Sequence, residues 1–72
     1  MSQWPSTKAR RVFHALLKSG WFVVSQAGSH VKLRHHSSKF PDYIWAFHDN
    51  EEIGPRMLAR IAKHTGLKPV DL

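Results

Sequence analysis

The alternation of apolar and polar residues in segment 30–35, HVKLRH, constrains the fold more than any other feature of the sequence. Successive side chains of an extended strand point to opposite faces of a sheet, so Val31 and Leu33 must share one face. The other face then carries a histidine and two cations. These polar residues are His30, Lys32 and Arg34.

The neighbouring segments predict the rest of a sheet. Residues 21–26, WFVVSQ, are β-branched and aromatic, and a turn at residues 27–29 joins them to segment 30–35 as an antiparallel hairpin. Four consecutive apolar residues in 21–26 predict burial on both faces, or at least a central position in the sheet. Residues 43–47, YIWAF, predict a third strand that leads to His48.

The first predicted helix lies in residues 6–20, STKARRVFHALLKSG. Ser6 or Thr7 can cap its start, and Gly20 follows the last periodic residue, as expected for a left-handed residue at a helix end. Three- and four-residue spacings give this helix one apolar stripe. The stripe consists of Ala9, Val12, Phe13, Leu16 and Leu17.

The second predicted helix follows the sheet. Gly54 is expected as its N-cap and Pro55 as its first residue, where the missing N–H costs nothing. The helix should run to about His64 and stop at Gly66. Its apolar stripe consists of Leu58, Ile61 and Ala62.

Together these elements predict an α+β fold of order α-β-β-β-α with a three-stranded antiparallel sheet. Two helices can cover only one face of such a sheet. The apolar residues of segment 30–35 take the covered face, and its polar residues remain on the open face. We expect a single domain over residues 1–72, with its core at about 6–67, because a chain of 72 residues supports one hydrophobic core at most.

Composition narrows the class of protein. No apolar run approaches the ~20 residues that cross a bilayer, and no apolar segment follows the N-terminus as it would in a signal sequence. The chain has no cysteine, which removes disulfides, zinc–thiolate sites and cysteine nucleophiles. We therefore expect a cytoplasmic protein without a membrane partner.

Charge is unevenly distributed along the chain. The net charge is +6, and residues 1–40 contain seven lysines and arginines but no acid. All five acids lie in the remainder. A basic half of this kind favours contact with the phosphates of a nucleic acid over an acidic protein or a membrane surface.

His30 is the candidate catalytic residue. It begins its strand after a Gly-Ser turn, where glycine lets the backbone approach a ligand closely. Histidine exchanges protons near neutral pH, so it can take the proton of an RNA 2′-OH, which then attacks the neighbouring phosphate. Lys32 and Arg34 would neutralise adjacent phosphates. The scheme requires no metal and no other cofactor.

The other histidines are weaker candidates for a functional role. His35 and His36 end the strand, where adjacent side chains point to opposite faces and make poor joint metal ligands, so no metal site is expected. His48 follows the third strand and is a candidate general acid or phosphate contact, with a hydrogen bond at the loop end as the alternative. The predicted RNA contacts are Gly28, Ser29, Lys32, Arg34, His35 and His48.

Two other functions remain open on the residues alone. A non-catalytic RNA-binding module would bind RNA in a salt-dependent way without cutting it. A helix-turn-helix DNA-binding protein is disfavoured, because three strand-like segments separate the helices.

The stretch KARRVFHALLKSGWFVVSQAGSHVKLRHH resembles the HicA toxin family of bacterial toxin–antitoxin systems. The likeness extends over about residues 8–67 and includes the terminal segment EEIGPRMLARIAKHTGL. Its jointly specific marks are the Gly-Trp pair after the first helix, the Gly28-Ser29-His30 motif, His35, and the Gly66-Leu67 pair.

The resemblance implies a fold like that of double-stranded-RNA-binding domains and a ribosome-independent mRNA interferase with His30 as its catalytic residue. It also implies a cognate HicB antitoxin that binds the toxin and masks this histidine, with DNA binding expected only through the antitoxin complex. Where the family commonly carries proline, glycine and lysine after His48, this chain has DNEE at 49–52, whose acids should repel RNA.

Overall fold

The computed structural model describes residues 4–72 and confirms an α+β fold of order α-β-β-β-α. Within these residues one α-helix precedes a three-stranded antiparallel sheet along the chain and a second follows it. The structure also contains a two-stranded ribbon that the sequence did not indicate. The elements are β1 Thr7–Lys8, α1 Ala9–Lys18, β2 Trp21–Ala27, β3 His30–His35, β4 Tyr43–Trp45, β5 Glu52–Ile53 and α2 Pro55–Thr65. A short 3-10 turn, Pro69–Asp71, follows α2.

β3 is the central strand of the sheet, between β2 and β4. Leu33 lies opposite Val23 on one side and Tyr43 on the other, and Val31 lies opposite Trp45. Leu33 is fully buried and Val31 is half-buried. The covered face that the alternation in β3 predicts is therefore confirmed.

Both helices bury apolar stripes against this covered face. Side chains from α1, α2 and the sheet form one core cluster, in which burial of each large aliphatic side chain contributes about 1.5–3 kcal/mol. Leu17, expected on the stripe of α1, lies at its margin and is 39% exposed. The largest fully buried side chains are Val12, Leu16, Leu33, Ile53, Leu58 and Ile61. Among residues 4–72, no helix has the length and apolar character needed to cross a membrane.

The predicted side-chain cap of α1 is wrong, because neither candidate residue bonds to the first turn of the helix. Thr7 instead pairs with β5 in the two-stranded ribbon and is buried. The N–H groups of Ala9 and Arg10 donate to the main-chain oxygens of Glu51 at 2.8 Å and Asp49 at 3.1 Å. A loop distant in sequence thus satisfies the free donors of the helix start.

α2 begins and ends as the sequence predicts. Gly54 is its N-cap, Pro55 is its first residue, and Gly66 ends it in the left-handed conformation. Lys63 and His64 lie in the last turn, where positive charge interacts favourably with the helix dipole. The His64 ring also stacks on Tyr43 of β4, with centroids 6.0 Å apart.

β2 is an edge strand, so the predicted central position with burial on both faces is wrong. Trp21 is buried, whereas Phe22, Val23 and Val24 are 46, 47 and 39% exposed. An edge strand has a neighbour on one side only, and the helices cover a single face of this sheet. A bulge between Val23 and Ser25 further interrupts the pairing with β3.

Gly20 joins α1 to β2 and lies against two histidines. Its φ is 100°, a conformation that residues with a side chain rarely adopt. A Cβ at this position would collide with the ring of His36 and would lie 2.9 Å from Nε2 of His35. The main-chain N–H of His36 also donates to the oxygen of Gly20 at 3.0 Å. The ends of α1 and β3 therefore meet where only glycine fits.

We expect Gly20→Ala to lower the free energy of unfolding more than Gly28→Ala does. Gly28, with φ 61°, lies in the left-handed region, where an alanine costs about 1–2 kcal/mol, and Gly20, with φ 100°, lies outside it, where an alanine costs more. An added Cβ at Gly28 has no atom within 4 Å, whereas at Gly20 it meets two imidazoles. Urea unfolding followed by tryptophan fluorescence measures both losses. Equal losses would contradict the packing role of His35 and His36.

Candidate functional site

The β2–β3 hairpin ends in a two-residue turn, Gly28 and Ser29, one residue shorter than predicted. Gly28 has a φ of 61° and Ser29 does not have a positive φ, the combination that a type II′ hairpin turn requires. Because no atom lies within 4 Å of the place a Cβ would take, the tip of the turn is open. The side-chain amide of Gln26 donates to the main-chain oxygen of Gly28 at 3.2 Å and steadies the turn.

His30 is the first residue of β3 and projects from the open face. It pairs with Ala27 across the hairpin and is exposed. Its position alternates with those of Val31 and Leu33, which face the core. Lys32 is exposed on the same side as His30. The structure thus brings His30 and Lys32 together on the uncovered surface, as the strand pattern predicts.

The open face also carries apolar side chains. Phe22 lies opposite Arg34, and Ile44 lies opposite Lys32. These two apolar residues are 46 and 47% exposed. An exposed aromatic ring beside a cationic strand is available to stack with a base or to contact a protein partner.

Arg34 and Asp42 form an ion pair with two hydrogen bonds on this face. Nε and Nη2 of Arg34 donate to Oδ1 and Oδ2 of Asp42 at 3.0 and 2.9 Å. The hydrogen bonds are the main cause that lowers the pKa of Asp42; desolvation opposes them, and the charges of Arg34 and Lys32 assist. The same bonds, and then the Asp42 charge, raise the pKa of Arg34. Less free positive charge therefore remains on the open face than the sequence indicates.

His35 lies on the covered side of the sheet, opposite Trp21. Its Nε2–H donates to the main-chain oxygen of Ser19 at 2.9 Å, so this nitrogen carries the proton. Its Nδ1 accepts from the Ser37 hydroxyl at 2.6 Å and from the Ser37 N–H at 3.1 Å. The ring packs edge-on against Trp21 and Phe40. Both ring nitrogens serve the fold, and this geometry gives the predicted RNA contact of His35 no support.

The rings of His35 and His36 stack, with centroids 4.6 Å apart and an interplanar angle of 28°. The expectation that they point to opposite faces is wrong, because His36 lies beyond the end of β3, where strand alternation no longer applies. Within the described part of the chain, no group of three or more histidine, aspartate or glutamate residues could hold a metal ion.

His48 lies at a groove beside the hairpin turn. β4 ends at Trp45, two residues before the predicted end of the third strand, and residues 46–48 lead out of the sheet. The main chain of His48 is tied to Glu51: its N–H donates to Oε1 at 3.3 Å, and its oxygen accepts from the Glu51 N–H at 2.9 Å. The loop-end hydrogen bonds considered for His48 are thus made by its backbone, while the exposed residue lines a groove of about 430 Å³.

The groove brings together residues that are distant in the sequence. Ser29 of the hairpin turn and His48 both border it, and Ser29 directly precedes His30. The other lining residues are Phe13, Gln26, Val31, Trp45, Phe47 and Asp49. Sequence reasoning missed Phe13, Gln26 and Asp49, because the groove exists only where the 48–51 turn is held against the start of α1.

The acidic segment 49–52 stabilises the start of α1. Its main-chain oxygens cap α1, and the ammonium of Lys8 donates to the Asn50 oxygen at 3.3 Å. The same ammonium lies 3.8 Å from the Glu52 carboxylate, with both side chains about half exposed. Exposed pairs of this kind contribute little to stability, so the main-chain bonds are the principal anchor of the segment.

Comparison with known proteins assigns the chain to a family. A family model described as HicA toxin of bacterial toxin-antitoxin matches residues 9–67 of the 72. No significant match was found among curated proteins or among solved structures. The matched segment contains both helices, the three-stranded sheet and the turn before His30. The chain therefore belongs to the HicA toxin family of bacterial toxin–antitoxin systems.

Proposed function

We propose that this toxin is an endoribonuclease that cleaves mRNA, with His30 as its general base. The observation that carries the proposal is the position of His30. It follows the open Gly28-Ser29 turn, lies on the sheet face that the helices leave uncovered, and shares that face with Lys32. A proton acceptor and a cation on an accessible surface suit a long, flexible polyanion better than a small enclosed substrate.

The proposed chemistry needs a base that reaches a ribose hydroxyl. Neutral His30 accepts the proton of the 2′-OH, and the 2′-oxygen attacks the adjacent phosphorus. The bond from phosphorus to the 5′-oxygen of the next nucleotide breaks, and that oxygen takes up a proton. The products are a 2′,3′-cyclic phosphate and a 5′-hydroxyl. A positioned base contributes roughly 10²- to 10⁴-fold to such a rate.

The surrounding groups stabilise charge on the reacting phosphate. Lys32 supplies a cation on the open face, and main-chain N–H groups of the hairpin turn with the Ser29 hydroxyl bind phosphate oxygens. Arg34 binds the RNA backbone further along β3, although Asp42 competes for its guanidinium. His48, which lines the groove next to Ser29, is the proposed phosphate contact or general acid for the leaving oxygen.

The proposed partners follow from this surface and from the family. The substrate is mRNA, and the toxin acts in the cytoplasm, where mRNA is found. A HicB-like antitoxin inhibits it by covering the open face around His30. The exposed side chains of Phe22 and Ile44 give such a partner apolar area to bury beside Lys32.

His30→Ala should abolish cleavage of single-stranded RNA in EDTA while the protein remains folded. The matched control is His14→Ala, which removes an exposed histidine from α1, on the opposite side of the sheet. Gel electrophoresis of end-labelled RNA measures cleavage, and thermal unfolding checks the fold. Wild-type cleavage by His30→Ala would reject His30 as the base. RNA binding without cleavage by the wild type would identify a non-catalytic RNA-binding module.

Induced expression of the wild type in bacteria should arrest growth, and expression of His30→Ala should not. Loss of the base removes the chemical step but leaves the remaining surface intact. Growth curves measure the arrest, and immunoblots check that the two proteins are present in equal amounts. Equal arrest by both proteins would show that toxicity does not depend on His30.

Asp42→Asn should strengthen binding of single-stranded RNA and steepen its salt dependence by about one phosphate contact, because it releases Arg34. The control is Asp71→Asn, which removes the same charge from the C-terminal 3-10 turn. Fluorescence anisotropy between 50 and 200 mM salt measures both affinities on the His30→Ala background. Equal effects of the two substitutions would contradict competition between Asp42 and RNA.

The difference in RNA affinity between Asp42→Asn and its parent should persist from pH 8 to pH 5. The pKa of Asp42 is lowered by its bonds to Arg34, from about 3.9 in an unperturbed aspartate. A lowered pKa keeps the carboxylate charged throughout this range, so the ion pair is lost only as the pH falls through the lowered value. A difference that vanishes near pH 6 would show that another group controls Arg34.

A further inference from the structure

We propose that the groove between the hairpin turn and the 48–51 turn binds one nucleobase of the RNA. The base is that of the nucleotide whose 2′-OH faces His30. This inference rests on the proposed function and adds a base-binding subsite to it. It is carried by the aromatic lining of the groove, its polar rim and its position beside the turn residue Ser29, which precedes His30.

The size and walls of the groove suit a planar aromatic ring. Its volume of about 430 Å³ falls in the lower part of the range typical of small-molecule sites. Phe13 and Phe47 are half-buried and border it, and Trp45, only 3% exposed, packs against both. The Phe13 and Trp45 centroids are 5.6 Å apart, and those of Trp45 and Phe47 are 4.9 Å apart. Bases stack favourably on aromatic side chains, so the base would stack on Phe13 or Phe47, with the buried Trp45 supporting both rings.

The rim of the groove carries hydrogen-bonding groups that can read the edge of a base. The Gln26 side-chain amide offers an acceptor and the N–H that does not donate to Gly28, and His48 adds a ring nitrogen. An ionised Asp49 carboxylate offers acceptors and no donor. The main-chain oxygen of Asp49 accepts the Arg10 N–H at 3.1 Å, which fixes this groove-lining residue in place. Two carboxylate oxygens match the two adjacent N–H donors of guanine, so the rim favours guanine and fits uracil least.

The hairpin turn joins the groove, on the helix side of the sheet, to His30 on the open face. Ser29 lines the groove and His30 lies on the open face, and their Cα atoms are about 3.8 Å apart as chain neighbours. Gly28 leaves the tip of the turn free of side-chain atoms. A ribose can therefore cross the turn with its phosphate at His30 and its base in the groove. The net charge of +6 draws RNA to the protein, whereas Asp49 in the groove lining disfavours a phosphate there and leaves the groove to the uncharged base.

The test is an NMR titration of the full chain with the 3′-monophosphates of guanosine, adenosine, cytidine and uridine, and with inorganic phosphate. We expect saturable shifts of the Gln26, Ser29 and Asp49 amides and of the Trp45 indole N–H. Guanosine 3′-monophosphate should bind about tenfold more tightly than the uridine compound, as expected for one added hydrogen bond to a charged acceptor. Inorganic phosphate should shift the turn but not the indole.

Asp49→Asn should remove the preference for guanosine while leaving the shift of the Trp45 indole. The matched control is Glu52→Gln, which removes the same charge from the same segment at a residue outside the groove lining, and it should keep the preference. Equal binding of the four nucleotides, or shifts of the Asp49 amide and the Trp45 indole N–H with inorganic phosphate, would overturn the proposal.

If none of the nucleotides changed the signals of the groove residues, the proposal would also be overturned. A side chain of a protein partner would then remain as the occupant. Shifts restricted to Phe22, Lys32 and Ile44 would place the base on the open face instead. Nucleotide binding does not require cleavage, so this proposal can fail while His30→Ala still abolishes cleavage. Conversely, the groove can bind bases even if the wild type cuts no RNA.

Discussion

The burial of Leu33 in the central strand β3 is the constraint on which the rest of the structure depends. Leu33 is fully buried between β2 and β4 and beneath the helices. Because side chains alternate along a strand, this burial places His30 and Lys32 on the uncovered face. A register shift by one residue would bury the cation and expose the leucine, at a cost of several kcal/mol. One strand therefore fixes both the core and the candidate site.

The sequence predicts features that depend on local periodicity or on a single turn residue, such as the alternation in β3 and the limits of α2 at Pro55 and Gly66. It does not reveal contacts between distant main-chain groups. The carbonyl groups of segment 49–51 cap α1, and the strand order leaves β2 at an edge in spite of its apolar sequence. Side-chain partners are hidden in the same way: Arg34 reads as a free cation but is held by Asp42.

The candidate site is only partly visible in the sequence for the same reason. His30 and Lys32 follow from strand alternation, whereas the groove needs the 48–51 turn to be fixed against α1 by main-chain bonds. His35 is a neighbour of the site in sequence, yet its ring joins the end of α1 to the end of β3. The hairpin turn at Gly28 is where the open face and the groove meet. An RNA chain that crosses this turn would contact both surfaces.

The central claim is that His30 activates the ribose 2′-OH of the RNA, and the ends of the products test it most directly. The measurement uses a single-stranded RNA cut by the wild type in EDTA, and the same RNA with one deoxyribose at the cleaved position. We expect 2′,3′-cyclic phosphate and 5′-hydroxyl ends, and no cleavage at the deoxyribose. Cleavage at the deoxyribose, or products with 5′-phosphate ends, would contradict it, because water rather than the 2′-OH would then be the nucleophile.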